Sequence, residues 1–287
     1  EDNAFRGCEN IEGQLNLPAS VTRIGDSAFD GCENITGKVS FPASLTKIGK
    51  SAFLKCKNIT EIDFSSCTNL TQIDRNAFNK CTGLTDAKLP ASLTSVGNIF
   101  TGCTKLAHLS IDPANSALCA ENDIVYNKEK TKLLFGAPAV TKAVAMPENL
   151  THIETNAFIN NQALTEVKFS KNLIEIGESA FSTCKSLQTV DFSESTKLEK
   201  IVDYAFNHSE NITGTLVFPA SLTEIGTFAF DNCKNITEID LRNCTALSAI
   251  GIRAFQNCSA RFKVKSGSGL KEKLKTSGVQ EDKIDEE

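Results

Sequence analysis

"CENITGKVSFPASLTKIGKSAFLKC" spans Cys32–Cys56, and "SENITGTLVFPASLTEIGTFAFDNC" spans Ser209–Cys233. Sixteen of the 25 aligned positions are identical. Between and around these copies the same phrase is paraphrased. Its most constant word is "AF", which places Phe at 5, 29, 53 and 78, then at 100 within "IF". After a gap of 58 residues the series resumes at Phe158, Phe181, Phe206, Phe230 and Phe255. All other spacings are 22–25 residues. A period of that length lies in the range of leucine-rich repeats; a turn so short cannot bury a core alone and does so by stacking on its neighbours.

Other residues keep phase with the Phe. Ile stands five residues before it at 24, 48, 73, 153, 176, 201, 225 and 250. Gly follows that Ile at 25, 49, 177, 226 and 251, and Gly97 follows Val96 in the same way, so the chain there turns a tight corner or needs positive φ. Stacked turns convert each phased position into a ladder, with the Phe ladder as the spine. The segment "ITEIDF" (Ile59–Phe64) alternates as a strand does, "LTKIG" (Leu45–Gly49) reads as a second short extended piece, and "KSAFLKC" (Lys50–Cys56) reads as one helical turn. Pro18, Pro42, Pro90, Pro147 and Pro219 mark the bend after the first strand. The predicted fold is an α/β repeat solenoid: a right-handed coil of short parallel strands and short helical turns, interrupted by one β-hairpin. Residues 1–111 form the first block of repeats and open on a half-repeat, from which either further sequence before Glu1 or an exposed repeat edge is expected. Residues 112–146 form an irregular repeat, 147–263 the second block, and 264–287 a cap and tail, the tail read as a short helix with a frayed end.

These residues resemble the BspA-like class of leucine-rich repeat, whose pattern is CxxLTxIxLPxSLTxIGxxAFxxC. The resemblance covers about Glu1–Lys263. The interruption "NDIVYNKEKTKLLFGAPA" (Asn122–Ala139) is similar to an insertion of that family, and "KVKSGSGLKEKLKTSG" to its end cap. "VY" and "TKLLF" flank polar "NKEK", so the residues themselves also predict a hairpin there. The resemblance implies a secreted or cell-surface protein that adheres to host or matrix proteins. No secretion or anchoring segment is visible in the chain.

Composition narrows the function classes. The net charge is −5 and no basic block is present, so nucleic-acid binding lacks its electrostatic footprint. No apolar run reaches the roughly 20 residues of a membrane span. No G-x-S-x-G, H-E-x-x-H or P-loop occurs, so neither an enzyme nor a cofactor is expected. Eight of the 11 Cys share the phase three residues after Phe, and Asn161 and Ser209 replace Cys there. This argues for buried structural thiols, reduced, over a metal or a disulfide framework. His108, His152 and His208 share no local spacing with other ligands. The recurring Asn-Ile-Thr triplets at Asn34, Asn58, Asn211 and Asn235 read as repeat chemistry before glycosylation sites.

A binding site should lie where side chains point outward between the apolar residues of each first strand. The candidates are Glu61, Asp63, Asp86, Lys88 and His108 in the first block, and Glu166, Lys168, Asp191, Glu238 and Asp240 in the second. None of these is aromatic, and a plain solvated face accounts for them equally well. Tyr126 in the insertion offers a second location. The leading expectation is a monomeric, non-enzymatic binding scaffold for a host or matrix protein. The alternatives are a structural spacer or self-associating array, and an intracellular scaffold, which reduced thiols would permit.

Overall fold

The computed structural model describes residues 1–139 and 143–287, so the irregular segment 112–146 is described except for residues 140–142. The chain is a leucine-rich-repeat β-solenoid in two compact units. The first comprises residues 1–129 and 134–140, the second residues 130–133 and 141–287.

In the first unit, the longer strands Gly37–Ser40, Ile59–Asp63, Asp86–Leu89 and His108–Ile111 pair in parallel as one sheet. The two-residue strands Arg23–Ile24, Lys47–Ile48, Gln72–Ile73 and Ser95–Val96 make a second. The insertion supplies the predicted hairpin and adds a strand to it. Leu118–Glu121 and Ile124–Asn127 pair antiparallel, with the second lying next to the strand Lys132–Gly136 in the sheet. The second unit repeats the plan. Ala143–Ala145, Glu166–Lys168 and Thr189–Asp191 are parallel, as are Gly214–Val217, Ile236–Asp240 and Arg261–Val264. Its short strands run from His152–Ile153 through Glu175–Ile176, Lys200–Ile201 and Glu224–Ile225 to Ala249–Ile250.

The Phe spine forms in each unit. Rings of Phe5, Phe29, Phe53, Phe78 and Phe100 stack at centroid distances of 5.2, 5.0, 5.3 and 5.8 Å. Phe158, Phe181, Phe206, Phe230 and Phe255 stack at 5.3, 5.1, 5.1 and 5.5 Å. A second row, Phe41 on Phe64 and Phe169 on Phe192, meets the first edge to face. Offset stacks and T-shaped contacts suit the ring quadrupole and add to the burial of these side chains.

The "AF" segments are not helical turns, as the sequence predicts, but tight double turns. In Lys50–Cys56, Ala52, Leu54 and Cys56 donate their N–H three residues back. The alternate residues Ser51, Phe53 and Lys55 donate instead to Arg75, Ala77 and Asn79 of the next turn, at 3.3, 2.7 and 2.9 Å. That alternation requires left-handed backbone two residues before and two after the Phe, at Ser51 (φ 56°) and Lys55 (φ 62°). A helix would direct every N–H within the segment and leave the neighbouring turn's carbonyls unpaired.

Except at Gly97, the corner glycines answer to close approach, not to φ. A Cβ on Gly226 would lie 2.4 Å from the Asp203 backbone nitrogen, and one on Gly251 2.3 Å from that of Thr227. The prolines begin β-turns: the Pro42 carbonyl accepts Leu45 N–H at 3.0 Å, and that of Pro219 accepts Leu222 N–H at 3.1 Å. The tail differs from a frayed helix. Leu270–Thr276 is an α-helix, but Ile284–Glu286 then returns as a parallel strand on Arg261–Val264, burying Ile284.

Candidate binding surface

Each outward position follows from strand alternation. In the long strands the middle apolar residue is buried, as with Val39, Ile62, Ala87 and Leu109, and its two neighbours face out. Register then aligns the neighbours across turns. Lys38, Glu61, Asp86 and His108 make one row of the first unit; Ser40, Asp63, Lys88 and Ser110 make the next. In the second unit, Glu166 sits beside Thr189 and Lys168 beside Asp191. Further along, Thr215, Glu238 and Arg261 align, as do Val217, Asp240 and Lys263. All ten candidate residues therefore lie in outward rows, five in each unit.

They differ in what they do there. Lys38 Nζ lies 2.8 Å from a carboxylate oxygen of Glu61 and 2.8 Å from one of Asp63. Lys168 reaches Glu194 at 3.0 Å, Lys263 reaches Glu238 at 3.0 Å, and Lys88 approaches Asp112 at 3.8 Å. Asp86 carries no ion pair among the described residues and His108 is exposed beside it, so this stretch of the first unit is the less neutralised one. Three of the acids are also turn formers. Asp63 accepts Ser65 N–H and Asp191 accepts Ser193 N–H, both at 2.8 Å, and Asp240 accepts Arg242 N–H at 3.0 Å. The Lys38 contact and these turn bonds hold the Asp63 carboxyl at about 2. Asp240 is only 7% exposed and lies under the forked guanidinium of Arg242. The signal was in the sequence: an Asp two residues before Ser65, Ser193 or Arg242, each at the end of its strand, is an Asx-turn pattern.

The insertion is core and not display. Ile124, Val125 and Tyr126 are all buried, and burial pushes the Tyr126 phenol up. Among the described residues the exposed aromatics are Phe5, the first ring of the spine, and Tyr204, with Phe228 half-buried beside the latter. Tyr204 and Phe228 stand in "AF" turns, where "YAF" and "FAF" replace the "SAF" and "NAF" of other copies. They lie outside the strand rows, so strand alternation does not point to them.

The thiols are rungs. Cys56 Sγ donates to the Phe29 carbonyl at 3.1 Å, Cys103 to Phe78 at 3.0 Å and Cys184 to Phe158 at 3.1 Å. Ser209 Oγ makes the same bond to Phe181 at 2.6 Å. The ten Cys other than Cys119 are free thiols, and burial pushes the Cys184 thiol up to about 12. The sequon asparagines also bond across turns: Asn34 Nδ2 donates to the Glu9 carbonyl, Asn58 to Glu33 and Asn211 to Lys185. Among the described residues no helix is long and apolar enough to cross a membrane, and no cluster of His, Cys, Asp and Glu is arranged to hold a metal.

Comparison with solved structures finds the same fold. The pneumococcal vaccine antigen PcpA superposes with a TM-score of 0.78 at 21% identity, covering 93% of this chain and 71% of that one. A leucine-rich repeat protein from Bacteroides ovatus gives 0.52 at 20% identity, covering 100% and 80%. One from Eubacterium ventriosum gives 0.51 at 20%, covering 88% and 84%. No curated protein sequence matches the chain. The model of the BspA-type leucine-rich repeat region matches residues 1–124 and 138–261 in 6 copies. With most of its length matched, the chain belongs to the BspA-type leucine-rich repeat family.

Proposed function

We propose that this chain is a non-enzymatic, cell-surface or secreted binding scaffold that adheres to a host or matrix protein through its outward strand rows. The observation that carries the reading is the register of those rows. Parallel pairing holds Lys38, Glu61, Asp86 and His108 side by side on a rigid sheet, so a partner meets charged groups already in place. Pre-organisation of this kind lowers the ordering cost of binding. The repeat family and the fold shared with a pneumococcal antigen support a surface location. Binding of the folded chain to a panel of purified matrix proteins at physiological salt tests the proposal. Saturable binding that weakens in Glu61→Lys/Asp86→Lys supports it; a folded chain that binds no panel member sinks it.

A second reading, a spacer or self-associating surface array, is favoured by the ion pairs within the face. Lys38 with Glu61 and Lys263 with Glu238 satisfy each other across turns and leave fewer charges for a partner. Sedimentation equilibrium separates the two readings, since only the array predicts association that grows with concentration when no partner is present.

A further inference from the structure

Each "AF" turn needs a left-handed residue two positions before its Phe. Small polar residues take this conformation in turn after turn: Ser27 (φ 52°), Ser51 (56°), Asn76 (62°), Asn156 (61°) and Ser179 (54°). Three successive turns of the second unit depart from that choice. They place Tyr204 (59°), Phe228 (55°) and Arg253 (57°) there. Bulky L side chains disfavour this region, and such outliers gather at functional sites.

The three side chains form a ladder of their own, separate from the buried spine. The Tyr204 and Phe228 rings stack at 5.3 Å with 12° between planes. The Arg253 guanidinium lies 5.8 Å from the centroid of Phe228, within cation–π range. The ladder is not hidden: Tyr204 is 38% exposed and the neighbouring Ile252 69%. Its two ends are unfilled. Tyr204 turns one ring face to Phe228, and the rung on its other side carries only Ser179. Among the described residues Arg253, like Arg75, makes no ion pair, whereas Arg6, Arg23, Arg242 and Arg261 each hold a carboxylate.

We propose that Tyr204, Phe228, Ile252 and Arg253 form a protein-docking strip for a segment that sets an aromatic side chain on the free face of Tyr204 and a carboxylate on Arg253. Tyr and Arg are the residue types that dominate binding energy at protein interfaces. The unpaired cation supplies the charge to which the partner is complementary, and the stacked rings hold it in place. The strip lies on the turns and not on the strand rows. It rests on the same reading of the chain as a binding scaffold but uses different residues, so the two surfaces fail separately.

The test pans a random peptide library displayed on phage against the whole folded chain. Counter-selection uses the triple variant Tyr204→Ser/Phe228→Ser/Arg253→Asn, which restores residues of the kind other turns carry. Enriched peptides are expected to share an aromatic residue and an acidic residue. A synthetic copy should bind at least tenfold more weakly to Tyr204→Ser and to Arg253→Asn, and with unchanged affinity to Glu61→Lys/Asp86→Lys. Failure to enrich such peptides, or equal binding to the triple variant, overturns the proposal. A stability control guards the interpretation. Phe228→Asn should melt at or above the parent temperature, because Asn suits the left-handed backbone. A fall as large as that caused by removing a spine ring would make the ladder structural and overturn the docking role.

Discussion

Ser195 shows how closely single residues are specified. It occupies the phase at which Cys67 and Cys244 point their thiols at the carbonyls of Pro42 and Pro219, 3.5 Å away in each case. Ser195 is fully buried, and among the described residues its Oγ has no partner. A buried unpaired hydroxyl costs about 1–3 kcal/mol. Ser195→Cys should therefore raise the melting temperature, with a gain of about 1 kcal/mol in a denaturant titration; an unchanged or lowered midpoint would refute this account of the site. Asp63 makes a second residue-scale case. Its folded-state carboxyl is depressed to about 2, below its ordinary value of 3.8. A depressed acid contributes stability that is present above the unfolded value and disappears as pH falls through the folded one. The parent should accordingly lose stability between about pH 4 and pH 2, with Asp63→Asn showing a shallower loss across that window. Parallel slopes in acid titrations of the two proteins would refute the assignment. The thiols give a third prediction. Cys8 and Cys119 are partly exposed and the other nine are buried, so native alkylation should modify these two first.

At the scale of the element, the sequence showed the ladder positions clearly and the conformation between them poorly. Periodic Phe, Ile, Pro and Cys announce a stack because each must meet its own copy one turn away. The period cannot say how an N–H is aimed, and so "KSAFLKC" looked like a helical turn. The alternating inter-turn bonds of Ser51, Phe53 and Lys55 are long-range facts that no local propensity encodes. The corner glycines left two alternatives open, positive φ or close approach, and at all but Gly97 the structure selects the second. Gly226→Ala should thus cost about 1–3 kcal/mol through overpacking. Gly97→Ala, where no atom lies within 4 Å of the added methyl, should be nearly neutral. Equal melting temperatures for the two variants would contradict the close-approach argument. For the spine, Phe206→Ala should cost about 3–5 kcal/mol, checked by chemical denaturation.

For the whole molecule, the repeat made the architecture legible and the surface much less so. The outward rows could be counted from the sequence because strand alternation is strict. Their energetics could not, because Asp63, Asp191 and Asp240 spend part of their bonding on the turns they close. Tyr204, Phe228 and Arg253 were visible as departures from "SAF", yet only the stacking geometry shows that they join into one strip. A solenoid spends most of its sequence information on matching its neighbours.

The central claim is that a partner binds the outward rows held in register by the stacked turns. The most direct measurement is the affinity for a matrix-protein ligand, compared across the parent, Glu61→Lys/Asp86→Lys and Glu166→Lys/Glu238→Lys, with folding of each verified by circular dichroism. The account predicts that at least one reversal of a strand row weakens binding tenfold or more and alters its salt dependence. Unchanged affinity in both variants would contradict it.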